Sequence, residues 1–341
     1  MFSLNKRNIR VAIFPLCNFN CIYCDGEQRY GKPGRPGAME DFRRKPLGDG
    51  NINIDMILEI IKALHLAGFE GMTLTGGEPF LNPEWDVIVE RSKGIGMKRV
   101  GITTNGLLLN TYIQKNKHLP TGLDLVTISL DTIDPKRFKE ITGNDKLGEI
   151  IRGLKAAKKA NPKLIIRANK IVMRSDTKSF LDYIKFCKKS GFIDEINLLN
   201  LILKDKKNVE FFEKEFMSTE EILNFFSKQK RYNFSMDDKY EFIARLPSGL
   251  KIILKDTNLT LRNRQCLGCP IYCQEGFYTV RVATDGTINT CMDYRVKLPF
   301  IDGPAEFNKG TLLKKVKGLV KDFESVRLQK TLRKFFEINN I

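Results

Sequence analysis

Histidine is nearly absent from this chain: there are two in 341 residues, alongside a single tryptophan. His65 falls in a helical stretch and His118 just before Pro120, neither beside a cysteine group. Both read as structural, and acid–base chemistry is assigned to neither. No apolar run approaches membrane-spanning length, and Met1–Arg10 lacks the apolar core of a secretory signal. Acidic residues are also short, 40 against 57 basic, giving a formal charge of +17. That excess raises attraction for phosphates, nucleic acid or acidic peptides without choosing among them, and lysines on solvated helix faces account for it equally well. A hydrophobic content of 42% with 28% charged residues is that of a globular chain. The length suits one large domain, alone or with a smaller appendage.

The eight cysteines are grouped. Three occupy positions 17, 21 and 24, four lie between 266 and 291, and Cys187 stands alone. Grouping of this kind points to metal and to a reducing, cytoplasmic setting. Cys17-Asn-Phe-Asn-Cys21-Ile-Tyr-Cys24 places three thiols on one short loop. Three thiolates can hold three irons of a four-iron, four-sulfur cluster and leave the fourth iron open. Zinc more often takes paired C-x2-C or Cys/His spacing closed by four ligands. An odd count of cysteines argues against a disulfide framework.

Strand-like segments at 10–14, 71–75, 99–103, 124–129, 163–172 and 195–200 alternate with helical ones. The helices are expected at 54–67, 83–95, 107–116, 135–141 with 147–160, and 177–190. Serial alternation of this type predicts an α/β fold with a parallel sheet and helices outside it. Residues 26–50 break the rhythm with six glycines and three prolines among basic residues, a functional lid or a solvated excursion beside the cysteines. Beyond residue 205, 204–232 reads as helical and 233–264 shows no clear period. Alternation on either side of Asp285-Gly286 predicts a β-hairpin, and 311–325 an amphipathic helix packed on the core. Cys187, within a helical stretch, reads as a small core residue.

Three further segments follow the cysteines in order: Thr73-Leu-Thr-Gly-Gly-Glu-Pro79, Thr103-Thr-Asn-Gly106 and Val126-Thr-Ile-Ser-Leu-Asp131. Together with the cysteine loop they resemble the radical S-adenosylmethionine (SAM) superfamily over roughly residues 8–205. The resemblance is closest to the branch containing the molybdenum-cofactor GTP 3′,8-cyclase. It implies a partial (β/α)6 TIM-like barrel over 1–215, a connecting segment 216–255, an auxiliary iron–sulfur "twitch" domain over 256–310 and a helical cap over 311–341. It also implies a SAM-binding 4Fe–4S cluster on Cys17, Cys21 and Cys24, reductive cleavage of SAM to a 5′-deoxyadenosyl radical, and hydrogen abstraction from substrate. Gly76, Gly77, Glu78 and Pro79 match the segment meeting the methionyl amino group, Tyr23 the adenine contact through its backbone, and Ser129 a further SAM contact. Thr103, Arg10, Arg167 and Arg281 match substrate positions. Cys266, Cys269 and Cys291 match ligands of an auxiliary 4Fe–4S cluster, with Cys273 a candidate fourth; a four-cysteine zinc knuckle is the less favoured alternative for that group.

Thr73 and Thr279 stand where that branch carries arginines, and Ile202 where it carries a SAM-contacting methionine. The resemblance therefore implies a small anionic substrate, nucleotide-like but less charged than a triphosphate, and an electron donor such as flavodoxin or ferredoxin. Two other readings remain at this stage. One is a radical SAM maturase that modifies peptides. The other is a non-catalytic iron–sulfur or zinc protein binding nucleic acid, for which the ordered G-G-E-P, T-N-G and S-L-D segments have no use.

Overall fold

A computed structural model of the protein describes residues 8–24, 53–201, 209–229, 231–236, 241–255, 279–284, 286, 288–289 and 314. All six expected strands form: β1 (Asn8–Phe14), β2 (Gly71–Gly76), β3 (Arg99–Thr104), β4 (Leu125–Ser129), β5 (Ile165–Ile171) and β6 (Glu195–Leu199). Each pairs in parallel with the next. Parallel neighbours require crossovers, and these carry α1 (Ile54–Leu66), α2 (Trp85–Ile95), α3 (Leu109–Asn116), α4 (Pro135–Thr142), α5 (Leu147–Ala160) and α6 (Phe180–Ser190). Local chemistry sets the helix ends. The Asn53 side chain accepts from Met56 N at 2.9 Å to start α1. Asp134 caps α4, with Pro135 at its first position and Gly143 ending it at φ 69°.

Period-two alternation divides the sheet into two faces. Ile9, Val11, Met72, Leu74, Ile102 and Ile196 pack beneath the helices at no more than 1% exposure. The opposite face carries Arg10, Thr73, Thr103, Thr127, Ser129, Arg167, Asn169, Glu195 and Asn197. These polar residues line the inner, concave side of an open (β/α)6 arrangement.

The sheet runs further than six strands. Among the described residues it has eleven, in the order β11-β10-β1-β2-β3-β4-β5-β6-β9-β8-β7. Residues 233–264, expected to lack a period, contain β7 (Ser235–Met236), β8 (Glu241–Arg245) and β9 (Lys251–Lys255). β9 lies parallel beside β6, with β8 and β7 antiparallel beyond it. Ile252, Ile253 and Leu254 are all buried. A strand covered on both faces shows no alternation to read. The Asp285-Gly286 signal is met by β10 (Thr279–Val282) and β11 (Ile288–Asn289), antiparallel around Gly286 at φ 80°. β10 also pairs in parallel with β1, so this hairpin extends the main sheet. Within 204–232 stand α7 (Val209–Glu215) and α8 (Thr219–Ser227), the latter opened by a Ser218/Glu221 capping box. Residues 26–50, Cys266, Cys269, Cys273, Cys291 and, Lys314 apart, the helix expected over 311–325 lie outside the described residues.

Both histidines serve locally: His65 Nδ1 bonds Phe69 O at 3.1 Å and His118 Nδ1 bonds Leu119 O at 3.0 Å. Cys187 is a core residue, 1% exposed.

Candidate active site

The chain leaves β1 at Phe14 and turns at once into the cysteine loop. None of its three cysteines is in a disulfide; Cys17 and Cys21 are half-buried and Cys24 is exposed. Burial pushes the Cys17 thiol up to about 11, and the nearby charges of Glu78 and Cys24 push the same way. Burial raises Cys21 as well, followed by the charges of Asp131, Cys24 and Cys17. Thiols that repel one another's ionisation in this way become thiolates only when a positive centre arrives.

The glycine pair joins this loop to β2. A Cβ on Gly76, at φ 129°, would sit 2.4 Å from Phe14 O, and one on Gly77 would sit 2.1 Å from Leu16 O. Gly77 N donates to Phe14 O at 2.8 Å and Glu78 N to Leu16 O at 2.7 Å. The close approach that these glycines permit is thus made by the chain entering the cysteine loop. Gly77→Ala must push the Leu16–Cys17 backbone aside. We expect a loss of about 3 kcal/mol of stability and poor iron loading; an unchanged melting curve with full loading would refute this account.

Glu78 is 1% exposed. Its Oε1 accepts from Thr104 Oγ1 at 2.6 Å and Phe80 N at 3.2 Å, and its Oε2 from Asn105 N at 2.8 Å. Burial nevertheless raises its carboxyl to about 7. Asn105 continues the connection: its Nδ2 donates to Asn18 Oδ1 at 2.6 Å and lies 3.8 Å from Cys17 Sγ. Asn105 was not among the residues expected at the site, although the T-N-G segment contains it.

A second set of bonds holds the other side of the loop. Asn20 N donates to Thr142 O at 3.0 Å and Ile22 N to Ile141 O at 2.9 Å. These are carbonyls at the C-terminal end of α4, which the helix itself leaves unsatisfied. The Tyr23 hydroxyl donates to Asp131 Oδ2, and Ile171 N donates to Asp131 Oδ1 at 2.7 Å. Beneath Asp131 lies Lys170, 2% exposed, whose ammonium donates to the Asp131 carbonyl and stands 3.7 Å from Asp176. Arg137 Nε reaches Asp176 from α4 at 3.0 Å. Tyr23 was expected through its backbone alone; Asp131 and Lys170 were not expected, although S-L-D contains the first.

The lumen face brings the remaining residues into register. Thr103, Thr127, Arg167, Glu195 and Lys251 are successive partners from β3 to β9. Ser129, Asn169 and Asn197 form the next row toward the strand ends. Across the sheet Arg10 and Arg281 are direct partners, and Arg10 Nη2 donates to Thr75 Oγ1 at 3.4 Å.

The sequence pattern of the radical SAM superfamily matches residues 11–187. The chain belongs to the radical SAM superfamily. Among its relatives are a probable GTP 3′,8-cyclase of Sulfolobus acidocaldarius, 29% identical over 300 residues covering 86% of this chain and 83% of that one. Another from Sulfurisphaera tokodaii is 30% identical over 293 residues, 85% and 82% of the two chains. The crystal structure of Streptococcus suis SuiB bound to S-adenosylmethionine shares the fold at a TM-score of 0.56 and 14% identity. That match covers 94% of this chain, which spans 66% of the SuiB chain. As a radical SAM enzyme the protein uses SAM and a 4Fe–4S cluster. The cysteine loop fits such a cluster: its donors are three thiols on one short loop, none of them in a disulfide, and the loop is backed by hydrogen bonds on both sides. Among the described residues no three Cys, His, Asp or Glu side chains converge to seat a single ion. A cluster asks instead for one thiolate per iron. No helix among the described residues is long and apolar enough to cross a membrane.

Proposed function

We propose that this radical SAM enzyme acts on a small anionic substrate of nucleotide or nucleoside type, held in the sheet's lumen beside a cluster on Cys17, Cys21 and Cys24. The observation that carries this reading is the placement of the cysteine loop at the mouth of a face lined with hydroxyls, amides and cations. When bound, the cluster supplies the electron that cleaves SAM to the 5′-deoxyadenosyl radical. The chain's own residues do the positioning. Glu78 and Asn105 fix the loop against β2 and β3. The backbone of the Gly76–Pro79 segment and of Tyr23, with Ser129, holds SAM. Thr103, Arg10 and Arg281 face the substrate, arginine being suited to phosphate or carboxylate by its planar fork.

Relatives named as GTP 3′,8-cyclases support the nucleotide reading. Cys266, Cys269, Cys273 and Cys291 are assigned to an auxiliary cluster in a twitch-type segment, and a flavodoxin or ferredoxin to electron delivery. Anaerobic reconstitution tests the whole. We expect about eight irons per chain and deoxyadenosine formation that a nucleotide or nucleoside stimulates, followed by mass spectrometry of the product. Four irons with one zinc would remove the auxiliary cluster and spare the first. Stimulation by peptides alone would overturn the substrate.

A further inference from the structure

We infer that Glu195 determines the charge of the substrate, by occupying the cations of the β5–β6–β9 wall and turning polyphosphates away from it. This inference deepens the reading of a small anionic substrate and rests on it.

Glu195 is the one acidic residue in strands β1 to β6. Its Oε2 receives both Nε and Nη2 of Arg167, at 2.7 and 2.5 Å. Its Oε1 stands 3.7 Å from Lys251 Nζ. The side chains of Arg167, Glu195 and Lys251 are 28%, 15% and 17% exposed. In so sheltered a place a charge pair interacts more strongly than at the open surface, and breaking it leaves a partly buried charge uncompensated. A phosphate seeking Arg167 must displace the carboxylate and then lie beside it. Such repulsion is how a site rejects a competing ligand.

One row nearer the cysteine loop the wall carries no charge at all: Ser129, Asn169 and Asn197 are neighbours there. Asn197 Nδ2 donates to Asn169 Oδ1 at 3.0 Å. Asn197 is 6% exposed, and its Oδ1 has no hydrogen-bond partner among the described residues. A buried carbonyl oxygen calls for a donor. The substrate part lodged against β4–β6 is therefore uncharged and carries N–H or O–H groups, such as a base edge, an amide or a sugar hydroxyl. Its anionic group lies elsewhere in the lumen.

The test is calorimetric titration of the reconstituted full chain with inorganic tripolyphosphate, GTP and guanosine. Glu195→Gln keeps the shape and removes the charge. It should tighten tripolyphosphate and GTP at least about tenfold and leave guanosine within about twofold. Arg167→Gln in the parent should change tripolyphosphate binding by less than about twofold, because that guanidinium is already taken. Combining the two substitutions should cancel the gain. Unchanged tripolyphosphate affinity in a Glu195→Gln variant that melts like the parent overturns the inference. Should that variant not fold, Arg167→Gln decides: a tenfold loss would mean that Arg167 already grips phosphate, and the inference falls. If tripolyphosphate gains tenfold while neither guanosine nor GTP binds the parent, Glu195 keeps its role and the nucleotide reading is what fails.

Discussion

Replacing Cys17, Cys21 and Cys24 together by alanine is expected to abolish SAM cleavage, with no deoxyadenosine formed above the level without protein. The loop carries no other thiol, and hydrogen bonds hold it on both sides. Tyr23 and Asn105 can supply no thiolate in their place. Neither can Cys187, buried in the core, where its thiol is pushed up to about 12 by burial. Cys187→Ala should accordingly leave cleavage close to that of the parent. Liquid chromatography of the anaerobic reaction reads both variants. Deoxyadenosine from the triple variant would end the radical mechanism for this chain.

The second large effect belongs to stability. Lys170→Met should cost about 3–5 kcal/mol, the range found when one member of a buried ion pair is removed, and lower Tm by about 10 °C. Lys170 is almost wholly enclosed, with the Phe180 and Tyr183 rings 5.5 and 5.1 Å from its ammonium. Burial pulls its pKa down, while the Asp176 and Asp131 charges pull it up. Methionine fills the volume but strands the Asp131 carbonyl and takes the ammonium from Asp176 Oδ2, leaving Arg137 at Oδ1 as that carboxylate's remaining cation. Thermal melts of the metal-free chain measure the loss directly. A Tm within 2–3 °C of the parent, well under the fall of about 10 °C expected here, would show that Lys170 is not the counter-charge described here.

The six parallel strands and their helices were legible because each buries one face. Ile9 and Val11, or Met72 and Leu74, alternate with polar neighbours over just the period that a strand imposes. Strand β9 was hidden by the same rule, since burial on both faces erases the alternation. The cysteine loop stood out by residue type and spacing alone. Asn105, Asp131 and Lys170 did not, because their work depends on distant neighbours: Glu78 lies 27 positions from Asn105, Tyr23 108 from Asp131, and Asp131 39 from Lys170. The Arg167–Glu195 pair is a similar case. Alternation places Arg167 in the lumen, but only strand register sets Glu195 beside it.

The amides of Asn20 and Ile22, bonded to the end of α4, have a consequence for the life of the enzyme. A flexible loop would lose its conformational freedom each time iron bound, and would forfeit its shape each time iron left. Here the freedom of this stretch is already spent on the chain's own hydrogen bonds. A cluster carried by the loop's thiols would then be inserted into a stretch already shaped, and its loading would cost little further ordering of the chain.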